Sequence, residues 1–170
     1  FFEEIGFSTS RIGGPGETDI LIFEPARFNV DGKSTKMDSK SSINFTRIKR
    51  HMKENNAKFM VVVSVGFDPA VGRDAKMEGA TLIDVQTLIT ILKIHKEYVL
   101  SPFDYIEILK QPGIITSEDL SLLQEKAEHQ NDMLNKSLIL LENLDFTPRN
   151  IDQIKGRIDL YCEQKRTPNI

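Results

Sequence analysis

Asp19, Asp31 and Lys33 are the residues whose types and spacing can do chemistry together, and the stretch that carries them runs from Glu17 to Lys33. Two runs of strand-forming residues, Ile20 to Phe23 and Phe28 to Val30, flank a turn at Pro25, a pattern that predicts a β-hairpin with a longer loop. Side chains alternate along a strand, so Asn29, Asp31 and Lys33 leave one face while Phe28 and Val30 leave the other. Asp19 opens the preceding strand, and antiparallel pairing brings it toward Asp31 across the hairpin. Two carboxylates and an ammonium then converge. Hard oxygen ligands of this kind suit Mg²⁺, which keeps several waters and takes a substrate phosphate as a further ligand. Such an ion polarises a phosphoryl oxygen and lowers the pKa of a bound water, while Lys33 positions that water or balances charge growing on the phosphate. The chemistry implied is phosphodiester hydrolysis. The plain alternative is a solvated strand, because Asp-x-Lys is short enough to recur by chance. Removing one of two like-charged neighbours relieves repulsion, so Asp31→Ala is expected to leave folding largely intact.

Glu17 lies two residues before Asp19, hence on the same strand face, where it could accept a metal-bound water; Glu3 or Glu4, on a first helix, are outer-ligand candidates. Ser34 and Lys36 follow the lysine at positions suited to touching phosphate. The net charge is -3, but between Asp31 and Lys58 the bases Lys33, Lys36, Lys40, Arg47, Lys49, Arg50, Lys53 and Lys58 outnumber Asp31, Asp38 and Glu54. That local excess follows the candidate site and could line a phosphate path, with Arg47 and Arg50 as DNA contacts; a solvated helix face is the plain reading. Other chemistries lack their residues. His51, His95 and His129 lie far apart with no ligand spacing, which leaves a zinc site or a Ser/His/Asp triad unsupported. The Gly13 to Gly16 loop lacks the Gly-Lys-Ser/Thr ending of a phosphate-binding loop.

The elements that must hold these residues come from periodicity. Phe1 to Ile5 read as the end of a helix stopped by Gly6, and Ser8 to Gly16 as a loop. After the hairpin, Ser42 can cap a helix to about Asn55, with Ile43, Ile48 and Met52 as its apolar stripe and Arg47, Lys49, Arg50 and Lys53 largely off it. Phe59 to Val65 reads as a buried strand, Val71 to Met77 as ambiguous with a short helix in view, Ala80 to Ile83 as a second buried strand, and Asp84 to Lys96 as a helix. This order predicts an α/β fold, a central mixed sheet flanked by helices, with the site at the sheet's edge region. From Ser101 the pattern turns helical: Phe103 to Lys110, a break at Pro112-Gly113, Thr116 to about Asn143 behind a Thr116/Asp119 cap, and Pro148 to about Gln164. The expected division is 1–115 for the site-bearing domain and 116–170 for a helical C-terminal extension. The chain has 170 residues, no apolar run long enough for a bilayer, and one cysteine, Cys162, which together favour a reducing cell interior. It opens at Phe1 without a methionine, which suggests a piece of something longer.

In their order, Phe1-Phe2, Gly6-Phe7, Ile12-Gly13-Gly14, Thr18-Asp19-Ile20, Val30-Asp31-Gly32-Lys33, Phe59 to Phe67 and Gly79 to Val85 resemble the PD-(D/E)xK nuclease superfamily. Within it the likeness is to the DNA-cleavage domain of FokI-like type IIS restriction endonucleases, over roughly the first half to two thirds of the chain. The resemblance implies a restriction-endonuclease-like fold and a Mg²⁺-dependent endonuclease in which Asp19 and Asp31 bind metal and Lys33 helps to activate water. It also implies double-stranded DNA as substrate, a separate sequence-recognition domain or subunit, a homodimer for cutting both strands, and a place in the bacterial or archaeal cytoplasm beside the nucleoid. Thr18 stands where the family usually has proline, and the helical tail is longer than the family's. The alternatives are a DNA-repair or junction-resolving nuclease of the same superfamily and, from another class, a non-catalytic nuclease-like interaction or DNA-binding module.

Overall fold

The run from Phe59 to Ser64 is apolar on both faces and needs cover on both; in the computed structural model it is the fourth strand of a six-stranded sheet. The structure describes residues 1–12, 19–39, 43–98, 100–142 and 151–166. β1 (Ser8–Arg11), β2 (Ile20–Glu24) and β3 (Phe28–Gly32) pair antiparallel. β3, β4 (Phe59–Ser64), β5 (Ala80–Asp84) and β6 (Gly113–Ile114) then pair parallel, in the order of the sequence. Parallel neighbours require crossovers, and α1 (Phe45–Glu54), α2 (Pro69–Glu78), and α3 (Val85–Glu97) with α4 (Pro102–Leu109) supply them. The chain is therefore α/β, with a mixed sheet flanked by helices, as its periodicity predicts.

Parallel partners share a face. Asn29 and Asp31 of β3 sit beside Met60 and Val62 of β4, which sit beside Ala80 and Leu82 of β5. On this face Met60, Val62, Ala80 and Leu82 pack with Phe45 and Ile48 of α1 and with Val71 and Ala75 of α2. Full burial of one such side chain contributes roughly 1.5–3 kcal/mol, so the layer fixes α1 against the sheet. The other face carries Phe28, whose ring stacks on Phe59 at 4.5 Å and meets Phe2 and Phe7 edge-on at 5.9 and 5.6 Å. That cluster holds Phe1 to Ile5, which form a single turn closed by the Ile5 amide on the Phe1 carbonyl (3.2 Å) and not the end of a helix.

Two strands depart from the expected pattern, and both for want of apolar alternation. Ser8 to Arg11, expected as loop, is β1, an edge strand whose side chains are half-buried or exposed and so carry no hydrophobic signature. Its presence moves the hairpin inward: β3 is the third of six strands, and the site is not at the sheet's edge. β6 is only two residues long and follows the Pro112 break. The Gly13 to Gly16 loop and the predicted cap Ser42 lie outside the described residues; α1 is capped by Asn44, whose Oδ1 accepts from the Arg47 amide at 2.9 Å. The ambiguous run resolves into α2, with Asp68 as its cap.

The helical region contains α5 (Ser117–Glu142) and α6 (Ile151–Arg166). The amide and hydroxyl of Thr116 both donate to Asp119 Oδ2 at 2.7 Å, the expected cap. The chain forms two compact units, Phe1–Glu125 and Lys126–Ile170. In the second unit Leu134, Leu138 and Leu141 are 42 %, 47 % and 62 % exposed. Among the described residues no helix is long and apolar enough to cross a membrane.

Candidate functional site

Asp31 is the fourth residue of β3, and its alternation places it beneath α1, where only 3 % of the residue is exposed. A carboxylate at that depth needs partners. The first is Lys33: its backbone amide donates to the Val63 carbonyl at 2.8 Å, which carries the parallel ladder one residue past β3. Two residues on, its side chain returns to the side of Asp31, and the ammonium forms an ion pair with Oδ2. The second partner is Arg47, at the third position of α1, whose Nη2 lies 3.2 Å from Asp31 Oδ1. One buried carboxylate thus faces two cations. Both cations remain in touch with solvent, the side chains of Lys33 and Arg47 being 19 % and 32 % exposed.

Asp19 stands on the bend before β2 and is exposed. Its Oδ2 accepts the Gly32 amide at 2.6 Å, and Gly32 is the residue between Asp31 and Lys33. A Cβ at Gly32 would stand 3.4 Å from that oxygen, an ordinary contact. Asp19 also borders a cleft of about 470 Å³, together with Arg11, Glu3, Thr9, Phe1, Phe2, Ile20, Val30, Gly32, Val63 and Leu88. Asp31 and Lys33 do not line it. The three expected residues therefore meet at one stretch of β3, but its backbone divides them. Asp19 borders the face of Val30 and Val63, whereas Asp31 and Lys33 meet on the face of Val62.

Two hard-oxygen carboxylates beside one amide match in kind what Mg²⁺ takes from a protein, with water and phosphate completing its shell. Among the described residues no group of three or more His, Cys, Asp and Glu side chains comes together, and Asp19 and Asp31 lie on opposite sides of β3, so as folded the two do not make a shared donor set. Asp31 has Oδ1 and Oδ2 engaged by Arg47 and Lys33.

The accessory candidates fall elsewhere. Glu17 lies outside the described residues. Glu4 is exposed, while Glu3 lines the cleft and accepts from the Thr9 hydroxyl at 2.6 Å. Ser34 is exposed; Lys36, also exposed, lies 3.6 Å from Asp38, and Arg50 lies 3.6 Å from Glu54 on the outer side of α1. Arg47 departs from expectation: it is turned to the sheet and bound to Asp31, because the third position of α1 overlies β3 and the carboxylate there needs a counter-ion. Sequence reasoning missed this pair and the polar seam that continues it. Asn55 Nδ2 donates to Asn29 Oδ1 at 3.3 Å, and the buried His51 holds Glu54 Oε2 at 3.1 Å through Nδ1. The signal was present, since Arg47, His51 and Asn55 recur every four residues on a helix while Asn29 and Asp31 recur every two on a strand. Compared with models of protein families, with curated proteins and with solved structures, the chain matches none.

Proposed function

We propose that this chain is a Mg²⁺-dependent endonuclease that hydrolyses phosphodiester bonds of double-stranded DNA, a cleavage domain of the PD-(D/E)xK, type IIS restriction kind. The observation that carries the reading is the meeting of Asp31 with Lys33 at the end of β3, with the Asp19 carboxylate on the amide between them. On this reading Asp19 and Asp31 would offer oxygens to Mg²⁺, although they stand on opposite sides of β3 as the chain is folded, and the ion would supply Lewis-acid polarisation of the phosphate and a more acidic water. Lys33 orients the attacking water and offsets charge on the phosphate. In the reaction the water oxygen bonds to phosphorus, a phosphorus to sugar-oxygen bond breaks, and the departing oxygen takes up a proton. Separate recognition of the DNA sequence, and a second copy for the second strand, belong to the same proposal.

One observation favours a second reading, a non-catalytic nuclease-like binding module: Asp31 is enclosed by two cations, as a purely structural carboxylate would be. Plasmid nicking with Mg²⁺ against EDTA separates the two. The endonuclease reading expects Mg²⁺-dependent nicks that disappear in Asp19→Ala and Asp31→Asn. Equal behaviour of wild type and both variants removes it.

A further inference from the structure

Between α1 and β3 runs a polar seam that is pinned at both ends. Arg47, His51 and Asn55 recur every four residues and share one face of α1 and its C-terminal cap, while Asn29 and Asp31 share one face of β3. Arg47 Nη2 lies 3.2 Å from Asp31 Oδ1, and Asn55 Nδ2 lies 3.3 Å from Asn29 Oδ1. His51, midway along that face of the helix, is therefore set over the stretch of β3 between Asn29 and Asp31. Asn29 is wholly buried and His51 is only 6 % exposed. Three atoms of the seam are buried and meet no hydrogen-bond partner among the described residues: His51 Nε2, Arg47 Nε and Asn29 Nδ2. Buried polar groups are as a rule satisfied, so three orphans along one seam call for a common partner.

The hydrogen-bonding types of the three atoms say what that partner is. Glu54 Oε2, 3.1 Å from His51 Nδ1, is a carboxylate oxygen and accepts, so Nδ1 carries the proton and the neutral ring leaves Nε2 as an acceptor. Arg47 Nε and Asn29 Nδ2 can only donate. A cation would face two donors. An anion would satisfy those donors but not Nε2, and the Asp31 carboxylate would repel it. A water accepts twice and donates once, which matches the three orphans in number and in kind. We propose that the seam binds one internal water, which accepts from Arg47 Nε and Asn29 Nδ2 and donates to His51 Nε2. The water fixes the tautomer of His51, and it holds Arg47 at Nε while Asp31 holds it at Nη2. The assignment does not depend on the endonuclease reading.

The test is NMR spectroscopy of the isotope-labelled chain at about pH 8.5, where an ordinary histidine is neutral. The ring signals of His51 are assigned by their loss in His51→Gln or, if that variant does not fold, by elimination with His95→Gln and His129→Gln. In the wild-type protein the ring nitrogens are expected to report a neutral imidazole with its proton on Nδ1. The ring protons Hδ2 and Hε1, which flank Nε2, are expected to receive magnetisation from a long-lived water. A proton on Nε2 in place of Nδ1, or a ring still cationic at that pH, overturns the inference. So does the expected tautomer without transfer from water to Hδ2 and Hε1.

Discussion

Replacing Asp31 by alanine should destabilise the protein, contrary to what repulsion between two aspartates suggests. In the folded chain Asp31 faces two cations, and the neighbouring Asp19 carboxylate is bound to the Gly32 amide. Truncation leaves Lys33 and Arg47 next to each other at the edge of an apolar layer. Removing one partner of a fully buried pair costs about 3–5 kcal/mol. Here the surviving side chains are 19 % and 32 % exposed and can turn toward water, which brings the loss to about 2 kcal/mol. For a chain of this length that lowers the melting temperature by about 4–8 °C. Thermal melts of wild type, Asp31→Ala and Asp19→Ala measure it. The Asp19 variant forfeits one exposed hydrogen bond and should lose no more than about 0.5–1.5 kcal/mol. A melting temperature for Asp31→Ala within about 1 °C of wild type would refute the two-cation account of its burial.

Burial pushes the Tyr105 phenol far above its ordinary value of 10.0, and the adjacent Asp104 adds to the effect. The folded state thus holds a proton that the unfolded chain releases, so stability is intact below about pH 10 and falls as pH rises beyond it. Urea titrations from pH 8 to 11 should show that fall, and Tyr105→Phe should flatten it; parallel curves would count against the assignment. Gly72→Ala places a methyl 2.7 Å from Ile114 Cδ1, where α2 meets β6. The overpacking should cost about 1–3 kcal/mol in urea unfolding, and adding Ile114→Val should return part of it, since the two changes share one space. A double variant with strictly additive losses would show that the contact does not govern this junction.

Those parts of the fold were legible in which one physical demand dominates a stretch of chain. Phe59 to Ser64 and Ala80 to Ile83 are apolar on both faces and can be little else than buried strands, and Asp84, Thr116 and Asp119 announce helix starts because orphan amides need acceptors. β1 was hidden because an edge strand satisfies its backbone without burying side chains, so Ser8 to Arg11 look like loop. The candidate site was half legible. The Asp31 to Lys33 pairing follows from a period of two, but the depth of Asp31 follows from α1 lying over β3, and no local pattern encodes that packing. Arg47 was misplaced for the same reason: its own helix marks it as polar, and only the carboxylate beneath explains why it turns inward.

Because the strands stand side by side in the order of synthesis, β3 finds both its ladder partners between Ile20 and Ser64, and α1 lies inside the same interval. Asp31, Lys33 and Arg47 can thus settle against one another while the long C-terminal helices are still unmade. The β2–β3 hairpin closes locally, whereas the parallel β3–β4 pairing has to close the crossover through α1. Shortening the chain from its C-terminal end should spare that early nucleus, whereas a break near Asn44 would separate the arginine from its carboxylate.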